Sequence, residues 1–161
     1  MIKQILKATS LCLLICSSAF AAPIVLTFEG VGNSAEILNF YNGGTDSAGN
    51  SGANYGIAFG RNSLGIVESK MGGTGNFENE PSAKTVMFFL NGSAVLNDAA
   101  GFDTGFSFFY SSSTVAAVKV YDGLDATGNL LTTIDLISQM GTNCKTGSTT
   151  EFCNFSSAGA G

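Results

Sequence analysis

Histidine and tryptophan are both missing from the 161 residues. Without histidine the chain has neither the commonest general base nor the commonest zinc ligand, so no Ser-His-Asp or Cys-His arrangement can be assembled. Charged side chains make up only 12% of the sequence, and acidic residues outnumber basic ones by 12 to 7. No basic run interrupts that acidic balance, which excludes a protein that grips phosphate backbones and with it nucleic-acid binding. The apolar run Leu11 to Ile15 is too short to span a bilayer, and no membrane span is expected in the mature chain.

What is present begins with an address. Lys3 and Lys7 supply a positive n-region, Leu11 to Ile15 the apolar h-region, and Ala19-Phe20-Ala21 a small-x-small cleavage site. Residues 1–21 are therefore expected to be a signal peptide, and the protein to be secreted: periplasmic, at the cell surface or extracellular. Residues 22–161 are enough for one domain with a core and too few for two. Loss of Lys3 and Lys7 leaves five basic against twelve acidic side chains, a net charge of -7. In an oxidising compartment the two cysteines beyond the leader, Cys144 and Cys153, are expected to form a disulfide across the polar stretch CKTGSTTEFC.

The strongest periodic signal runs from Gly101 to Leu136. Phe102, Thr104, Phe106, Phe108 and Tyr110 share one face at a period of two, with Phe109 the exception, which is how a half-buried strand is written. Val118 and Val120 alternate with Lys119 and Tyr121, and Leu130, Ile134 and Leu136 alternate with Leu131, Thr133 and Asp135. Three adjacent antiparallel strands are expected, the last two joined by the turn-rich DGLDATGN loop, Asp122 to Asn129.

Further strands are expected at Ile24 to Phe28, Tyr55 to Phe59, Leu64 to Ile66, Val86 to Leu90 and from Ala94 onward, with a helical turn near Ile37, Leu38 and Tyr41. VMFFL, Val86 to Leu90, is apolar on both faces and suits a strand covered on each side. The stretch from Asn42 to Asn54 reads as a glycine, serine and asparagine loop too polar for a core. About nine short strands at this spacing, with no convincing helix, define an all-β chain and predict an antiparallel β-sandwich of jelly-roll type.

Taken together, LTFEGVGN (26–33), NFYNGGTDSAGNSGANYGIAF (39–59), GGTGNFENEPS (72–82), AGFDTGFSFFY (100–110) and VYDGLDATGN (120–129) resemble a family of secreted bacterial proteins. The chain is similar to PEP-CTERM-type exported proteins with a jelly-roll domain like that of carbohydrate-binding modules. That resemblance implies export and retention at the surface or in an exopolysaccharide matrix, and it carries no activity. Members continue with further strands and a sorting signal where this sequence ends at SSAGAG. The resemblance therefore implies a truncated domain lacking its last strands.

Candidate sites follow from the resemblance and from the residues. In similar sandwich modules a glutamate at the position of Glu29 holds a structural calcium, a hard cation that wants several oxygens; the alternative is a solvated strand-end carboxylate. Asp122, Asp125 and Asn129 could also offer oxygens, but they lack the alternating spacing of a calcium loop, and a hairpin that hydrogen-bonds itself is the plainer account. A single GGTGNFENE copy supports no calcium roll, which works by stacking repeats.

Sugar binding would need exposed rings with polar neighbours, and Tyr41, Tyr55, Tyr110 and Tyr121 are the tyrosines available. Tyr121 is singled out among them because it lies opposite the Val118 and Val120 face and next to Asp122 and Asp125; the plainer alternative is a tyrosine half-buried against a neighbouring strand. The twelve acidic residues show no pair forced together, and Glu78 and Glu80 fall in a loop expected to be solvated, so no catalytic residue is assigned and no enzyme is expected. The expectation is a non-catalytic surface or matrix protein that binds exopolysaccharide or other surface glycans. Its competitors are a structural matrix protein with no ligand and a polysaccharide-active enzyme or its accessory module.

Overall fold

The structure, a computed structural model, describes residues 22–141, 144 and 152–161. The expected signal peptide, residues 1–21, lies outside them. Eight strands follow in order: β1 Ile57–Phe59, β2 Leu64–Val67, β3 Thr85–Phe88, β4 Leu96–Asp98, β5 Phe106–Tyr110, β6 Ala116–Tyr121, β7 Leu130–Leu136 and β8 Ser156–Ala160. Among the described residues only two short 3-10 turns, Ser69–Met71 and Leu124–Ala126, interrupt them. The chain is all-β, and its strands form four separate two-stranded antiparallel sheets: β1 with β4, β2 with β3, β5 with β8, and β6 with β7.

The β6–β7 hairpin is the one the DGLDATGN loop predicts. Val118 faces Ile134 and Val120 faces Thr132, and a bulge then shifts the register so that Tyr121 faces Leu130. The bulge leaves Leu131 without an opposite number, which turns the end of the hairpin and re-aims Tyr121. β5, by contrast, does not pair with β6. Its partner is β8, with Phe106 opposite Ala160 and Tyr110 opposite Ser156. The two pairs are joined instead around Gln139. Its backbone exchanges hydrogen bonds with Ser112, its side-chain amide donates to the Tyr110 carbonyl, and its side-chain oxygen accepts from Asn154 and the Ser156 hydroxyl.

Alternation along β5 sets direction correctly and depth less so. Phe106, Phe108 and Tyr110 are half-buried while Ser107 and Phe109 point out, and Val118, Val120 and Ile134 are likewise half-buried. The fully buried cluster lies elsewhere: Val31, Ala35, Ile37, Phe40, Tyr41, Ile57 and Phe59, with Leu26, Phe28 and Met87 packed against it. Most of these residues sit in consecutive turns rather than strands. Ile37, Phe40 and Tyr41 reach the core at helix-like spacing, but Leu38 takes a positive φ of 49°, so the segment cannot continue as a helix.

Two other expectations are corrected by pairing. Ile24 to Phe28 runs irregularly with no strand partner, and only Leu26 and Phe28 of its alternating set turn inward. Phe28 has φ 63°, which breaks the extended run just before Glu29. VMFFL is not a strand covered on both sides: β3 pairs only with β2, and Phe89 and Leu90 lie exposed beyond its end.

Candidate functional site

The β6–β7 loop begins where Tyr121 ends its strand. Asp122 closes the loop by accepting from the Asn129 backbone N–H at 2.6 Å and from the Asn129 side-chain amide at 2.8 Å. Those two donors, the side-chain amide first, hold the Asp122 carboxyl below its ordinary range. Gly128 makes this closure possible, since it has φ 78° and a Cβ there would strike Asp122 Oδ1.

Asp125, with φ 55°, turns the other way and clamps β4. Its N–H donates to Asn97 Oδ1 at 2.9 Å and its Oδ1 accepts from Asn97 Nδ2 at 2.7 Å. The two aspartates are thus neighbours in sequence with separate commitments. Tyr121 is half-buried and is among the residues that line a broad open trough.

That trough has a volume of about 2610 Å³. Its walls include Tyr121 and Asp122 together with the ring row of β5. Along this row Phe102 and Phe106 have centroids 5.2 Å apart, Phe106 and Phe108 6.1 Å, and Phe108 and Tyr110 6.2 Å. Within β5 strand geometry produces the spacing, because residues two apart project from one face, and Phe102 extends the row from the segment before the strand. Tyr110 and Tyr121 therefore share the trough. Tyr41 does not: it is buried, its ring edge meets Phe40 at 4.8 Å, and its hydroxyl accepts the Phe28 N–H at 2.8 Å. Burial raises its hydroxyl pKa above the usual tyrosine value. Tyr41 is a core residue and no sugar platform, and Tyr55 stacks on it at 6.0 Å.

Glu29 is not among the residues that line this trough, and its carboxylate is already engaged. Oε1 accepts the N–H groups of Lys84 and Thr85 at 2.9 and 2.8 Å, and Oε2 accepts the Thr85 hydroxyl at 3.3 Å. These donors tie the chain after Phe28 to the start of β3. Three of the roughly four lone-pair positions of the Glu29 carboxylate are thus occupied by protein donors. Among the described residues no group of three or more Asp, Glu, Cys or His side chains is arranged to hold a metal.

Cys144 and Cys153 are bonded, with Cα atoms 5.1 Å apart. Cys153 is buried, and its N–H donates to the Met140 carbonyl at 2.8 Å. Next to it, Phe152 pairs with the 76–78 segment, where the Glu78 N–H donates to the Phe152 carbonyl. The disulfide thus secures the chain that leads into β8. No helix among the described residues is long and apolar enough to cross a membrane.

Two carboxylates carry more of the fold than their sequence setting suggests. Asp46 lies in the stretch from Asn42 to Asn54, yet it is 3% exposed. It accepts from the N–H groups of Gly32, Ala48 and Asn50 and from Asn50 Nδ2, all between 2.8 and 2.9 Å. Burial pushes its carboxyl up, but the four donors, Asn50 Nδ2 foremost, outweigh it and hold the group below the usual carboxylate range. Glu78, expected in solvent, is 1% exposed and pairs with Lys70 Nζ at 2.6 Å. Only the cluster of Asp with Gly, Ser and Asn between Asn42 and Asn54 hints at Asp46, since an Asx turn is written that way; for Glu78 no local signal exists.

Comparison with protein-family models, with curated proteins and with solved structures finds no match for this chain.

Proposed function

We propose that this is an exported, non-catalytic all-β protein of the cell surface or extracellular matrix, and that it binds polysaccharide. In this reading residues 1–21 are its signal peptide, and residues 22–161 form one domain in which the four small sheets are parts of a jelly-roll-like sandwich. The observation that supports ligand binding is the open trough, whose lining includes Tyr121 and Asp122 together with Phe102, Phe106, Phe108 and Tyr110. Aromatic faces pack on the apolar faces of sugar rings, and a neighbouring carboxylate accepts from their hydroxyls. Asp125 belongs to the reading as the residue that holds the loop against β4, through Asn97.

A structural matrix protein with no ligand is favoured by a different observation. Asp122 already has both oxygens satisfied by Asn129, and Tyr121 is half-buried opposite Leu130. A glycan array probed with the purified protein, with and without calcium, separates the two. Binding that Tyr121→Ala abolishes supports the module; silence across neutral and acidic glycans supports the structural protein. A polysaccharide-active enzyme would instead release reducing ends.

A further inference from the structure

The chain contains two Asn-Gly pairs, Asn42-Gly43 and Asn91-Gly92, and one Asp-Gly pair, Asp122-Gly123. Such pairs rearrange when the glycine backbone nitrogen reaches the preceding side-chain carbonyl carbon. Glycine permits this because it has no Cβ to obstruct the approach. The structure treats the three pairs differently.

At Asn42 the side-chain amide donates to Asn39 Oδ1, and its backbone N–H and that of Gly44 both bond to the Asn39 carbonyl. Asn54 packs against Gly43, so close that an added Cβ would sit 3.0 Å from Asn54 Nδ2. At Asp122 both carboxylate oxygens are held by Asn129. At Asn91 the side chain is exposed and only its backbone carbonyl is engaged, accepting from Asn62 Nδ2. Gly92, at φ 66°, has open space around it apart from Asn62 Nδ2 at 3.8 Å.

We propose that Asn91-Gly92 is a self-modifying site that converts to isoaspartate in the folded protein, while the other two pairs are protected. The Gly92 nitrogen attacks Asn91 Cγ and loses its proton to water. The bond from Cγ to the amide nitrogen breaks, and that nitrogen leaves as ammonia. Water then opens the resulting succinimide at either carbonyl, giving isoaspartate or aspartate, so nothing is oxidised or reduced and no other reagent is required. The product carries one more negative charge, and in the iso form the main chain gains a methylene between β3 and β4. Asn62 is the residue placed to feel the change, since its amide also bonds the Ser93 carbonyl.

The test is to age the intact protein in mildly alkaline buffer and map isoaspartate by peptide mass and by enzymatic methyl labelling. Asn91 should convert about tenfold faster than Asn42, the ratio withheld by roughly 1.4 kcal/mol of local hydrogen bonding. In urea the two rates should converge, because the protection at Asn42 belongs to the fold. Asn91→Gln should remove the major labelled peptide and leave the Asn42 signal unchanged. Equal rates in the folded protein, or faster conversion at Asn42 or Asp122, would overturn the proposal.

Discussion

The segment from Leu26 to Phe59 and the segment from Phe102 to Leu136 invert the usual relation between regular structure and burial. The first is mostly turns, including positive φ at Phe28, Ser34 and Leu38, yet it supplies nearly all of the buried apolar cluster. The second has the cleanest strands, yet only Leu136 in β5 to β7 is buried, and Leu130 and Leu131 are 52% and 62% exposed. Period-two alternation fixes which way a side chain points. How deep it goes depends on what is stacked against that face, and the β5 face looks into an open trough.

Truncation in the two segments sharpens this contrast. Phe40→Ala removes a ring that is 2% exposed and touches Tyr41, and should cost about 3 to 5 kcal/mol in denaturant unfolding. Phe108→Ala, in the better strand, should cost less than half of that. If the two losses are equal, or Phe108 matters more, the asymmetry of the core is wrong.

The polar contacts of the first segment give the next effect. Asp46→Ala should cost about 2 to 3 kcal/mol, because four donors lose a charged acceptor in a buried place. The same carboxylate predicts a pH dependence. Its folded pKa is lowered, so its stabilisation is fully present above the unfolded value of about 3.9 and is lost as pH falls through the folded value. Urea midpoints should therefore drop in acid for the parent, and Asp46→Asn should flatten part of that slope. A parallel slope in the variant would contradict it.

The disulfide has a similar size by another route. Replacing Cys144 and Cys153 by serine should lower stability by about 2 to 3 kcal/mol, mainly by freeing the unfolded chain. Unfolding with and without reductant checks this, and no change under reductant would remove the bond from the account. The smallest effect belongs to the exposed end of the hairpin. Leu131→Thr at the bulge should move stability by less than about 0.5 kcal/mol.

How far the fold was legible follows the same division. The β6–β7 hairpin could be read because its alternation and its Asp-Gly and Gly-Asn turn residues agree. The β5 partner could not. β8 is SSAGA, without a branched or aromatic residue, and it serves because Gly159 lies so close to the Phe106 carbonyl that a Cβ would strike it.

The turn-built core was hidden for a related reason: Ile37, Phe40 and Tyr41 converge through chain reversals whose dihedrals no hydrophobic period encodes. At the candidate site, the self-bonded Asp122 to Asn129 loop was legible from composition. The reach of Asp125 across to Asn97 was not, since that bond spans 28 residues. Asp46 was concealed by its setting, a loop whose polar residues turn inward to bond one another.

Amide hydrogen exchange on the folded protein tests the placement of the core most directly. The N–H groups of Gly32 and Asn50, donated to buried Asp46, and of Phe28, donated to buried Tyr41, should exchange more slowly than the paired amides of β6 and β7. Slowest exchange in the β6–β7 hairpin, with the Gly32, Asn50 and Phe28 amides open to solvent, would contradict a core built from turns.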